Sequence, residues 1–429
     1  MNNIIRQYII RGSNLPNAAI FDLFLVVLTF LSVLFLPSIK INSQLYLGLD
    51  EFIVVIMGIR LLSKKFFWID QLAIILILMS FFILASIIVN PNFSDYREYL
   101  EIHKVIKFAI FYVFTIFVFR DFKHEKGIVY FLTFSFILLF IFNALHLFNV
   151  FYFNEYVTIL FDTDGRDVIN FGKNSAGGPG PKRIVGTMGN PNINAILFLF
   201  YVSFFTFLLI EGKKDQSSWN FFSNTLRKVL FLLSILMVIL CQSRTGIVAL
   251  TVIYLLGVYL RGAKWLEVVT EISFTVLFFL LSSFIDTIAL QYLFNTKPKL
   301  QDNNSFSVRI EIWAKLFKMW VQKPFFGYGP NKEYVYSNEL HPENEYIFYL
   351  WRYGIQGVIF YLSMLLVPLV YFYKRLKEFY FLPFIVFVIL LVALMNNPLS
   401  NAKINVLFPM ILGLSIAYLC KKNTNKELT

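Results

Sequence analysis

About twelve runs of roughly 17–25 apolar residues follow one another along this chain, and runs of that length with few charges fit the hydrocarbon core of a bilayer. With no water there to satisfy peptide groups, a spanning segment must be a helix or part of a closed barrel. A barrel strand would alternate polar and apolar residues over short stretches, whereas these segments are continuously apolar. Composition agrees: of 429 residues 58% are hydrophobic and 15% charged, the mean hydropathy is +0.67, and Phe occurs 51 times. The expected fold is an all-α integral membrane protein.

The runs predict helices near 19–39, 45–62, 67–89, 103–120, 127–149, 191–211, 228–242, 245–260, 265–288, 354–373, 379–396 and 402–420. The first follows Arg6 and Arg11 without a small-residue cleavage site and reads as a span, not a signal peptide. With the N-terminus inside, every second turn is basic: Arg60, Lys64 and Lys65; Arg120, Lys123 and Lys126; Lys213, Lys214, Arg227 and Lys228; Arg261 and Lys264; Lys374, Arg375 and Lys377; Lys421 and Lys422. This periodic excess is the signature of cytoplasmic loops and places both termini in the cytoplasm. It also accounts for much of the net charge of +12, so nucleic-acid binding is discounted in favour of membrane lipids. The two cysteines, Cys241 and Cys420, fall at opposite membrane faces and build neither a disulfide framework nor a metal site.

The organisation that follows is a block of five spans over 1–149, an outer loop over 150–190, four spans over 191–288, a large outer loop over 289–353, and three spans with a cytoplasmic tail over 354–429. Connections of such length are uncommon unless functional or disordered. The first loop ends in PKRIVGTMGNPN, which runs directly into a span. Asn190 suits an N-cap and Pro191 a first helical turn, which sets free N–H groups beside Arg183. That is an anion site or simply a capped helix with an interfacial arginine. CQSRTG places Arg244 in a hairpin with almost no loop, where a cation either faces a cavity or snorkels to headgroups. The second loop carries an amphipathic stretch with Arg309, Trp313 and Trp320, halted by Pro324 before a Gly327, Gly329 and Pro330 turn. It then crowds His341, Glu343 and Glu345 before a span, as a general base would require or as an ordinary solvated face would show. Trp313, Trp320, Tyr328, Tyr334, Tyr336 and Trp351 offer flat faces for sugars or form an interfacial aromatic belt. Arg97, Glu98, Glu101 and His103 line another outer segment.

In order and spacing these elements resemble the O-antigen polymerase and O-antigen ligase family of bacterial polysaccharide assembly. RIVGTMGNPN resembles its Arg, Gly and Asn-Pro-Asn element, SRTG its Ser-Arg hairpin, RIEIW with KPFFGYGPN the start of its periplasmic loop, and ENEYIFYLWRYGIQG its closing element. Many ligase-like members have His immediately before the Asn of that last element; here Glu343 stands there and His341 two residues earlier.

The resemblance implies a GT-C-like protein of the bacterial inner membrane, with its site on the periplasmic side. It would transfer glycan from an undecaprenyl-pyrophosphate carrier to a lipid-linked repeat unit, with a chain-length regulator and a flippase as further partners. Such chemistry needs cations for the departing pyrophosphate and a base for the attacking hydroxyl. Arg183, Arg244 and Arg309 suit the first task. Glu343 or His341, with Glu345 behind them, suit the second, and Asn190, Asn192, Trp313, Tyr328 and Arg352 are expected to contact substrate. No cofactor and no metal are expected, because Asp162, Asp164 and Asp167 read as a solvated turn. The rival readings are a ligase acting on lipid A core by the same chemistry, and a transporter, against which stands the lack of an internal repeat and of interrupted midplane helices.

Overall fold

A computed structural model describes residues 20–40, 46–66, 68–90, 96–120, 125–161, 183–212, 221–260, 304–338, 340, 342–371, 373 and 379–426. The predicted span at 265–288 and the residues Asp162, Asp164, Asp167 and His341 lie outside them.

The described chain is helical. In order it forms α1 (Ile20–Phe35), α2 (Leu49–Ser63), α3 (Gln71–Val89), α4 (Tyr96–Phe119), α5 (Glu125–Phe148), α6 (Phe153–Tyr156), α7 (Pro191–Glu211), α8 (Asn224–Leu240), α9 (Arg244–Leu260), α10 (Asn304–Gln322), α11 (Lys332–Ser337), α12 (Glu345–Tyr371), α13 (Phe381–Val392) and α14 (Ala402–Lys426). Between α1 and α2 a short antiparallel ladder pairs Ile39 with Leu47 and Lys40 with Tyr46. Six of the described helices, including α3, α4, α5, α7, most of α12 and most of α14, are long and apolar enough to cross a membrane. Others, such as α1 and α13, are apolar but shorter.

Helix α7 is apolar all round and is the most deeply buried of these six helices, with 94% of its apolar stretch buried against 39% for α3. Polar caps set where these helices begin. Asp70 accepts from Ala73 N (2.8 Å), Asn190 from Asn192 N (2.9 Å), Ser223 from Leu226 N (3.2 Å) and Ser243 from Gly246 N (3.2 Å). Gly246 also lets α9 approach α7, since a Cβ there would lie 3.0 Å from that of Ala195.

Neighbouring helices alternate in direction, so the chain has two polar ends. One end holds the Arg60–Asp22 ion pair and the Tyr112–Asp70 hydrogen bond. The other gathers the C-termini of α1, α3, α5, α8 and α13 with the N-termini of α4, α7, α9, α12 and α14. There Lys403 donates to Leu36 O and Thr187 O, Ile184 N to Leu240 O, and Glu345 N to Ala393 O. All the described candidate residues lie at this second end.

Helix α12 is broken at Gly354 (φ 66°, ψ −163°). The break exposes peptide groups that the 324–329 turn satisfies: Tyr328 N donates to Trp351 O (3.0 Å), Gly329 N to Arg352 O (2.8 Å) and Ile355 N to Pro324 O (2.9 Å). The backbones meet so closely that a Cβ on Gly327 would lie 2.4 Å from Arg352 O, and one on Gly354 2.4 Å from Phe325 O. Both glycines have positive φ. The turn is tied in addition to the end of α3, where Ser86 Oγ donates to Phe326 O (2.7 Å) and Lys323 Nζ to Asn90 Oδ1 (2.9 Å).

Gly354→Ala or Gly327→Ala is therefore expected to lower stability by about 1–3 kcal/mol or more, read as a fall in thermal unfolding temperature in detergent. Gly58→Ala, whose nearest atom would be 3.6 Å away, serves as the control and is expected to be neutral.

Candidate functional site

Two arginines meet where α7 and α9 begin. Arg183 donates from Nε to Cys241 O (3.2 Å) and from Nη2 to Asn192 Oδ1 (3.0 Å). It thereby joins the turn before α7 to the α8–α9 hairpin. Asn190, which caps α7, sits in the same turn. The turn is shaped by Gly186 and Gly189, both at positive φ. Arg244 opens α9 and is exposed, and its side chain makes no hydrogen bond or ion pair among the described residues. A cation at a helix N-terminus is opposed by the positive end of the helix dipole. An unpaired arginine there, with Arg183 and the α7 N-terminus beside its hairpin, makes a region of concentrated positive potential that an anion would relieve.

A lysine that sequence reasoning passed over supports this region. Lys403 Nζ donates to Thr187 O (2.6 Å) and lies 5.0 Å from the centre of the Phe161 ring. Its sequence signal was its position: it opens the last span at the end the charge pattern assigns to the outside, against the positive-inside tendency. Behind the turn, buried Asn143 accepts from Asn194 Nδ2 (2.9 Å), and His146 accepts from Val185 N (3.3 Å).

A second group lies between α10 and the start of α12. Arg309 and Glu343 form an ion pair with both side chains partly exposed, 30% and 44%. Glu343 adopts a left-handed backbone (φ 43°) that an L residue holds only under constraint. The constraint is visible on both sides. Trp313 donates its indole N–H to Pro342 O. Asn344 caps α12, accepting from Ile347 N (3.0 Å) and donating to Leu394 O (3.0 Å). Arg309, expected to grip pyrophosphate, is thus engaged with the candidate base.

Glu345 differs from its neighbour in every respect. It is fully buried and accepts from Tyr361 Oη (2.8 Å), Leu399 N (3.2 Å), Ser400 N (2.8 Å) and Ser400 Oγ (3.0 Å). These bonds fasten the start of α12 to the turn after α13, so both carboxylate oxygens of Glu345 are engaged in holding the fold.

The expected substrate contacts divide. Asn190 and Asn192 lie in the arginine region, Asn192 as a partner of Arg183. Trp351 is fully buried and stacks with Tyr328 (5.9 Å between ring centres) and Tyr334 (6.0 Å). With Leu316, Val335, Leu340 and Phe348 it forms a small core for the loop, so it presents no face to a sugar. Tyr328 keeps one edge accessible, its hydroxyl on Gln322 Oε1 (3.0 Å), and burial followed by its neighbour Tyr334 raises its phenol. Arg352 is buried with its guanidinium 3.7 Å over the Phe348 ring and Nη1 3.5 Å from Glu101 Oε2, and its Nε–H donates no hydrogen bond among the described residues. The outer segment of α4 braces the same loop, through Arg97 to Glu333 (2.6 Å) and Glu98 to Asn331 N, while His103 pairs with Glu51 (3.1 Å).

Residues 229–362 match the O-antigen ligase family. The match covers SRTG, the whole of α10, the 324–330 turn and the broken first part of α12, and it bears out the resemblance that the motifs suggested. No curated protein matches the chain.

Since Glu345 holds a turn and Glu343 does not, Glu345→Ala is expected to cost about 1–3 kcal/mol through buried donors left unpaired. Glu343→Ala should leave the unfolding temperature within error or raise it. Equal destabilisation by the two would sink this division of roles.

Proposed function

We propose that this chain, a bacterial membrane protein whose residues 229–362 match the O-antigen ligase family, is a glycosyltransferase that polymerises lipid-linked repeat units. The donor is a glycan on an undecaprenyl-pyrophosphate carrier and the acceptor is a sugar hydroxyl on a second carrier-linked unit. The reaction takes place at the periplasmic face of the inner membrane, the side to which the positive-inside pattern assigns the Arg183 end. In this reading the chain has about twelve spans in a GT-C-like arrangement.

The observation that carries the proposal is Arg244, exposed and without a side-chain partner among the described residues, at the N-terminus of α9 and one hairpin away from Arg183. The acceptor oxygen attacks the anomeric carbon, the bond from that carbon to the pyrophosphate oxygen breaks, and the electron pair leaves on the pyrophosphate. Arg183 and Arg244 take up that charge. Guanidinium groups grip phosphate oxygens in pairs, and the helix N-termini add oriented N–H groups. We assign to these arginines the charge stabilisation that a divalent ion supplies in other phosphate chemistry.

The proton of the attacking hydroxyl passes to Glu343, the accessible carboxylate of the 341–345 cluster, with Arg309 as a positioning residue that holds it through their ion pair. His341 is the other candidate for this role. Polymerase and ligase share all these steps and differ only in the acceptor. The Glu at 343, where many ligase-like members have His, favours the polymerase.

Arg183→Ala, Arg244→Ala and Glu343→Ala are each expected to reduce polymer by about 10²-fold or more at equal membrane abundance, seen as loss of the ladder on a gel of surface polysaccharide. Arg244→Lys should restore little, because lysine cannot offer paired donors. Cells lacking the protein should show lipid A core bearing one repeat unit. Polymer retained on the carrier would make the protein a ligase instead, and normal polymer in all the variants would remove the site.

A further inference from the structure

Helix α10 has three faces, and only one of them is packed. At about 100° per residue, Arg309, Ile312, Trp313, Leu316, Met319 and Trp320 fall together and turn toward α12, with Leu316 fully buried. A second face carries exposed Glu311, Lys315, Lys318 and Gln322. The third carries Ile310 (47% exposed), Ala314, Phe317 (50%) and Val321 (59%), and it continues into Phe325 (61%) beyond the helix. Water would be an unfavourable neighbour for such a stripe.

The way α10 is held fixes its depth. The first part of α12 stretches between two helix ends, from the end of α13 (Glu345 N to Ala393 O) to the end of α3, through the 324–329 turn. Helix α10 runs parallel along this bridge, joined near its start by Arg309 to Glu343 and at its finish by Trp320 Nε1 to Pro324 O (3.1 Å), the turn residue that also accepts from Ile355 N at the break. Both helices therefore run across the end of the bundle. At its finish the stripe is continuous with the bilayer-facing surface of α3: Phe326 stacks on Phe82 (5.4 Å), beside exposed Phe81, Ile88 and Val89.

We propose that α10 is an interfacial helix, with Ile310, Phe317, Val321 and Phe325 seated in the outer leaflet of the membrane and Lys315 and Lys318 facing anionic headgroups. An apolar face, a separate basic face and attachment at the exit of a spanning helix fit a lipid surface. The inference does not rest on the catalytic reading. If both hold, Arg309 and Trp313 lie at headgroup depth, where a carrier's pyrophosphate would also lie.

The test uses the full chain with Cys420→Ser, buried Cys241 left in place, and a thiol-reactive fluorophore at Phe317→Cys, Val321→Cys or Lys315→Cys. The protein is held as one copy per phosphatidylethanolamine and phosphatidylglycerol nanodisc. Iodide in the buffer is expected to quench positions 317 and 321 several-fold less than position 315. A lipid with a nitroxide high on its acyl chain should quench 317 and 321 but not 315. Equal iodide quenching at all three positions would overturn the proposal. So would shielding of 317 and 321 that appears only when two copies share a disc, which would make the stripe a contact between copies.

Discussion

The outer end of this protein depends on the break at Gly354 and on the backbone of residues 324–329 that fills it. A helix interrupted near a membrane surface has unpaired carbonyl and amide groups, and in a poorly hydrated setting each is costly. Here Trp351 O and Arg352 O receive Tyr328 N and Gly329 N, while Ile355 N finds Pro324 O. Side chains at Gly327 or Gly354 would hold the two strands of backbone apart. The stack of Trp351, Tyr328 and Tyr334 then covers the joint.

From that joint the loop acquires its order. Helix α10 is carried across the bundle end, Trp313 fixes the peptide of Pro342, and Glu343 is held in an unusual backbone state facing Arg309. Glu345, two residues on, turns inward to hold the turn after α13. Adjacent acids in one short motif thus do different work because the helix start between them is capped and turned by Asn344.

The arginine region is organised by another constraint, the close meeting of α7 with the α8–α9 hairpin. The small residues Ala195 and Gly246 allow it, and Arg183, Asn192 and Cys241 O lock it. Lys403 reaches in from the last helix to the same turn. The two regions share one end of the molecule, and the described contacts do not join Arg183 or Arg244 to Arg309. Arg309 pairs with Glu343 in this arrangement.

Much of this was legible in the chain itself. Hydropathy alone required membrane helices, because a bilayer tolerates little else. The pairing of Asn190 with Pro191 announced the start of α7, since capping is decided by a few neighbouring residues. The roles of like residues were not legible. Whether Glu343 or Glu345 is accessible, whether Trp351 is a platform or a core, and which partner Arg309 takes all depend on residues distant in sequence, such as Tyr361, Ser400 and Tyr328. Local sequence determines which segments can be helices and where they start. The tertiary structure decides which of the polar groups at their ends are used up in holding the fold and which are left for a ligand, because that depends on the long-range pairing of buried donors and acceptors.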